Sequence, residues 1–105
     1  MKIGTYNIKK TRNISDTSLV DTVDISYAEL CEIFGEPHVT GEDEKTKAEW
    51  DFNIGGTVCA VYDYKEYDTK VEDIREWHIG GKGNEAAVKV KDVIKTWKEL
   101  NKAWQ

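Results

Sequence analysis

The sequence predicts a single α+β domain over residues 1–105, an antiparallel sheet of three or more strands packed on one side by two helices, 26–35 and 84–104. Three observations predict it. Ala48 to Lys65 reads as a β-hairpin around Gly55-Gly56, with an alternating first arm and a second arm rich in Val and Tyr. Ser26 to Gly35 carries a helix start signal and a helix stop signal. Residues 84–104 repeat apolar side chains at steps of three and four.

Residues 1–15 form either a basic arm or an edge strand, with Ile3 and Tyr6 or Ile8 as inward positions. Asn13 to Ser18 is turn-rich, and Leu19 to Ile25 reads as a short extended segment leading into the first helix. Ser26 and Glu29 make the S-x-x-E capping box. Tyr27, Leu30, Ile33 and Phe34 then share one helical face, Gly35 suits the C′ position, and Pro37 blocks continuation. His38 to Lys47 is a polar, exposed connection. In the hairpin, Trp50, Phe52 and Ile54 alternate with Asp51 and Asn53. A two-residue turn puts Cys59 and Val61 on the Trp50 side; a turn one residue longer puts Val58, Ala60, Tyr62 and Tyr64 there instead. Glu76 to Ile79 is a further strand, broken by Gly80-Gly81-Lys82-Gly83-Asn84. Asn84 caps the last helix. Ala86, Val90, Val93, Ile94, Trp97, Leu100 and Trp104 face its core, while Lys89, Lys91, Lys95, Lys98 and Lys102 face solvent.

Hydrophobic residues make up 39% and charged residues 33%, so the core must rest on few large side chains, which four Trp and five Tyr supply. No run approaches the roughly 20 apolar residues of a membrane span. MKIGTYNIKK has no apolar h-region, so no signal peptide is expected. Cys31 and Cys59 have no ligand or disulfide spacing and read as reduced core residues. The net charge of −5 is uneven, with seventeen acids against five bases between residues 16 and 76 and basic excess at both ends. An acidic chain disfavours non-specific nucleic-acid binding.

Four segments carry a family resemblance: ISYAELCEIFGEP (Ile25 to Pro37), KTKAEW (Lys45 to Trp50), GTVCAVYDYK (Gly56 to Lys65) and EWHIGGKG (Glu76 to Gly83). In this order they resemble a widespread family of short bacteriophage and prophage accessory proteins, over about residues 24 to 95. The resemblance implies a phage accessory gene acting in the cytoplasm of an infected bacterium. This chain departs after Lys65, where EYDTKVED is shorter than the relatives' Asn- or Gly-rich insertion.

The candidate ligand-binding residues are Trp77, His78, Gly80, Gly81, Lys82, Gly83 and Asn84, with Tyr62 and Tyr64 from the neighbouring strand. A glycine nest, a lysine and a helix N-terminus suit a phosphate, and the aromatics suit a base. The first expected function is therefore a non-enzymatic sponge that sequesters a cyclic or ADP-ribose-type nucleotide immune signal, as a homo-oligomer. The alternative is an anti-defence inhibitor that meets a host defence protein through its acidic middle. A small nucleotide-acting enzyme would need a partner for His78, with Asp63 and Glu76 as the candidates. Neither a cofactor nor a metal is expected, because the two His and two Cys lack ligand spacing.

Overall fold

A computed structural model of the chain describes residues 2–3, 6–11, 17–37, 48–64, 66 and 68–102. The polar connection over 38–47, the turn at 13–16 and Trp104 lie outside the described residues. The strands are β1 (Lys2–Ile3), β2 (Tyr6–Lys10), β3 (Ser18–Asp24), β4 (Glu49–Ile54), β5 (Thr57–Tyr62) and β6 (Glu76–Gly81). The helices are α1 (Tyr27–Phe34) and α2 (Asn84–Lys102), with a single 3-10 turn at Val71–Asp73. The sheet runs β1-β2-β4-β5-β6-β3, antiparallel throughout. Five strands form its body, and two-residue β1 extends one edge.

The N-terminal segment is thus an edge hairpin, pairing Ile8 with Ile54. Its sequence neighbour β3 lies at the opposite edge, against β6. The hairpin takes the two-residue turn, with Ile54 opposite Thr57, Phe52 opposite Cys59 and Trp50 opposite Val61. Gly55 and Gly56 both have positive φ (55° and 93°), the geometry that matches hairpin twist and that side chains resist. Asn53 Oδ1 accepts the Gly56 N–H at 2.7 Å and closes the turn.

α1 is eight residues long, too short to persist alone in water. Its capping box forms as the sequence predicts: the Glu29 N–H donates to Ser26 Oγ at 3.1 Å. Gly35 ends it at φ 83°, with its N–H bonded to the Cys31 carbonyl. Two indoles then hold its two ends. Trp77 Nε1 donates to the Ile25 carbonyl at 3.0 Å, and Trp50 Nε1 donates to the Gly35 carbonyl at 2.8 Å. Tyr27 packs on both rings, at centroid distances of 5.8 Å and 6.2 Å, and Phe34 stacks on Phe52 at 4.4 Å. Trp50 and Trp77 are almost fully buried. Burial of such a side chain contributes on the order of 4–6 kcal/mol before entropy is counted.

Both helices therefore cover one face of the sheet, the face bearing Trp50, Phe52, Ile54, Cys59, Val61, Trp77 and Ile79. α2 buries Ala86, Ala87, Val90, Val93 and Ile94. Two expectations for α2 need correction. Leu100 is exposed, because burial along the helix fades after Ile94 and half-buried Trp97. Lys89 is not on the solvent face. It reaches the hairpin turn, donating to Thr57 Oγ1 at 2.7 Å and to the Ile54 carbonyl at 3.3 Å. The ammonium there makes charge-assisted hydrogen bonds to the turn.

Candidate functional site: the sheet face opposite the helices

Successive strand residues point to opposite faces, and the cross-strand register extends each face over the sheet. Tyr62 stands opposite His78, Ala60 opposite Gly80, Leu19 opposite Gly80, and Thr22 opposite His78. This second set lies on the face that neither helix covers. At its centre the His78 ring packs between two tyrosines, 5.6 Å from Tyr62 and 5.8 Å from Tyr64, with ring planes tilted by 32° and 55°. Ala60 and Gly80 form a flat floor beside them. A methyl on Gly80 would sit 3.3 Å from Tyr62 Cε1, so the bare glycine lets the tyrosine ring lie down on the sheet. Tyr64 is 41% exposed and Leu19 53%, the two largest apolar exposures on this face among the described residues.

Among the described residues, acidic side chains border the rings on β4 and β6. Glu49 is the cross-strand partner of Tyr62, and Glu76 is the partner of Asp24. Arg75 lies beside them, but its guanidinium is already paired with Asp24 at 3.0 Å. The Tyr62 phenol is held above its usual pKa, by burial first and then by the nearby Glu49 charge and Tyr64.

The nine sequence-derived binding residues fall in three places. Tyr62, Tyr64, His78 and Gly80 come together on the open face. Trp77 points the other way into the core, and Gly81 lies beneath α2 with Ala86 directly over it. Lys82 and Gly83 line a cleft of about 360 Å³ with Gly56, Thr57, Val58, Glu85 and Ala86, and exposed Asn84 opens α2 beside it.

The expectation that Gly80 to Asn84 is one loop is corrected. β6 continues through Gly81, because β3 and β5 pair with it on both sides there. Neither Gly80 nor Gly81 has positive φ, so neither belongs to a nest of N–H groups; close packing is their reason for being glycine. The cleft at Lys82 is electrostatically mixed. Glu85 lines it, and the Lys89 ammonium is turned to the hairpin carbonyls and to Glu85 at 3.3 Å.

Sequence reasoning missed Glu49 as a neighbour of the aromatic cluster, and Lys89 as a turn staple. The signal for Glu49 was its place in the hairpin register, which a two-residue turn sets opposite Tyr62. Asp63, one candidate partner for His78, is fully buried and its Oδ1 accepts the Ala48 N–H at 2.9 Å, closing the open end of the hairpin. Among the described residues, no group of three or more His, Cys, Asp or Glu is placed to hold a metal ion. No helix among them is long and apolar enough to cross a membrane.

The fold and the site define a two-layer α+β domain whose helix-free sheet face carries an aromatic cluster with Glu49 and Glu76 beside it. No protein-family model, no curated protein and no solved structure matches the chain.

Proposed function

We propose that this chain is a non-enzymatic docking protein whose helix-free sheet face engages a basic surface of a partner protein, acting as a phage accessory inhibitor of a host defence complex. The observation that carries the reading is the Tyr62–His78–Tyr64 cluster on a helix-free face, bordered by Glu49 and Glu76. Aromatic centres with a charged rim are the usual anatomy of a protein interface, and tyrosine is among its commonest anchors. The acidic middle of the chain steers a basic partner and rejects acidic ones. The resemblance to phage accessory proteins supports the setting.

The test is a photo-crosslinking residue at position 64, captured in host extract, followed by affinity measurement on the purified partner. Binding should weaken steeply as salt rises and should fall when Glu76 becomes Lys. Capture of an acidic partner, or binding indifferent to both changes, refutes the reading.

The Lys82 cleft keeps a second reading alive, the nucleotide sponge. An exposed lysine, a glycine turn and the N-terminus of a nineteen-residue helix meet there. The cleft is open, so this reading requires a second copy to close over the ligand. Native mass spectrometry with a panel of cyclic and ADP-ribose-type nucleotides separates the two. A nucleotide retained by an oligomer, and lost on Lys82→Ala, would establish the sponge in place of the docking protein.

A further inference from the structure

Edge strands present N–H and C=O groups that a second chain can pair with. Among the described residues, β3 pairs with β6 alone and ends the sheet. The phase of its ladder is set by the Ile25 N–H, which donates to the Arg75 carbonyl at 2.9 Å. Antiparallel bonding alternates, so Val23 and Asp21 also turn their backbone groups toward β6, while Asp24 and Thr22 turn theirs outward. The outward Thr22 N–H is already engaged. It donates to Asp21 Oδ1 at 2.8 Å, and Lys91 Nζ of α2 donates to Asp21 Oδ2 at 2.7 Å. We infer that Asp21 is a latch on the β3 edge, which keeps that edge from pairing with β3 of a second copy of this chain.

Three features act together there. The Asp21 carboxylate takes the N–H that an incoming strand needs, and the Lys91 ammonium holds it in place. Both bonds favour the ionised form, so the Asp21 carboxyl is held below the usual carboxylate range, by Lys91 first and then by the Thr22 N–H. Next to it the register shifts: Leu19 stands opposite Gly80 but Asp21 opposite Ile79, so Val20 is the extra residue of a bulge. At the far end of the strand Asp24 is tied to Arg75 at 3.0 Å. Bulges and charged side chains are common means of preventing edge-to-edge association. The occupant shut out is a second copy, because β3 is self-complementary. Two-fold antiparallel pairing about Thr22 sets threonine against threonine, Asp21 against Val23 and Asp24 against Val20, so no carboxylate meets another directly. In that arrangement each Thr22 N–H donates to the Thr22 carbonyl of the other copy, the bond that Asp21 Oδ1 pre-empts. Removing the carboxylate therefore opens the edge, whichever of the two functional readings holds.

Sedimentation velocity on the intact chain over a range of concentrations tests the latch. Asp21→Ala should self-associate about tenfold or more tightly than the unsubstituted chain, the scale of one charge-assisted hydrogen bond released at the edge. Asp21 is exposed, so its truncation leaves no cavity, and an unchanged melting temperature checks the fold. Asp21→Ala/Thr22→Pro should sediment like the unsubstituted chain, because proline removes the outward N–H and leaves the bonds to β6 in place. Asp21→Ala/Thr22→Lys should do the same by setting like charges opposite each other on the two-fold axis. Thr22 is exposed, so the lysine variant folds even where the proline variant does not. Thr22→Pro alone should leave sedimentation of the unsubstituted chain unchanged. The latch is overturned if Asp21→Ala sediments like the unsubstituted chain at every concentration, or if its self-association survives both Thr22 changes. It is equally overturned if the unsubstituted chain already self-associates and Thr22→Pro abolishes that association.

Discussion

Replacing Gly81 with alanine separates two explanations for the glycines that follow Ile79. If Gly81 is bare because α2 sits on it, a methyl there must collide with the Ala86 Cβ, whose position leaves it no room. The Gly83 and Val58 carbonyls also lie only 3.5 Å and 3.6 Å away, so the methyl cannot turn aside. Overpacking of this kind costs about 1–3 kcal/mol. For a domain near this size each kcal/mol lowers Tm by about 4–8 °C. Ala86→Gly alone loses a buried methyl and places glycine early in a helix, together about 1–2 kcal/mol. The double variant Gly81→Ala/Ala86→Gly removes the collision, so it should be more stable than the sum of the two losses by about 1–3 kcal/mol. Urea unfolding followed by tryptophan fluorescence reads this as a shift in midpoint at constant slope. Gly80→Ala should cost less, because its nearest contact at 3.3 Å is a tyrosine ring that can move. Gly83→Ala, with nothing within 4 Å and no positive φ, should be nearly neutral. Strict additivity of the Gly81 and Ala86 changes, or a cost at Gly83 equal to that at Gly81, would refute the packing argument.

Three further outcomes follow from the same geometry. Lys89→Met should cost about 1–3 kcal/mol, because it removes the charge-assisted hydrogen bonds from the ammonium to Thr57 Oγ1 and the Ile54 carbonyl, whereas Glu85→Gln should cost under about 0.5 kcal/mol, since its carboxylate is largely in solvent; chemical denaturation measures both. Trp77→Phe should loosen the start of α1 by leaving the buried Ile25 carbonyl without its indole donor, at a cost of about 1–3 kcal/mol, and amide exchange of the Leu30 N–H should quicken as global stability falls. Burial pushes the Cys59 thiol up from 9.0 to about 12, so a thiol reagent at pH 8 should label Cys31 and spare Cys59 until the chain unfolds. The neutral thiol favours the folded state. Its contribution is therefore whole below pH 9 and is lost as pH rises from 9.0 toward 12, with a slope of up to about 1.4 kcal/mol per pH unit that Cys59→Ala should abolish.

The readable parts of the fold are those written in local chemistry. Ser26, Glu29 and Gly35 specify where α1 starts and stops through bonds no longer than a few residues, and those bonds form. The alternation of Trp50, Phe52 and Ile54, with two glycines after them, specifies a hairpin. The site was only partly legible. Tyr62, Tyr64 and His78 do meet, because strands carry them side by side. Trp77 was grouped with them because it is adjacent in sequence, yet adjacency on a strand guarantees opposite faces. Gly80 and Gly81 looked like a loop because glycine is common in loops. They are held in the sheet by Leu19 and Ser18, some sixty residues earlier in the chain, a pairing with no local signature.

By itself, then, the sequence determined the element types, the capped first helix, the amphipathic last one and the alternation that sorts residues into two sets. Only the tertiary structure decided which set the helices cover. Trp50 and Trp77 went inward because their indole N–H groups find the Ile25 and Gly35 carbonyls at the ends of α1, burying large rings without an unpaired donor. That choice leaves Tyr62, His78 and Tyr64 on the outside among carboxylates. Alternation is a property of one strand and reads from residue to residue, but covering a face is a contact between elements far apart in the chain.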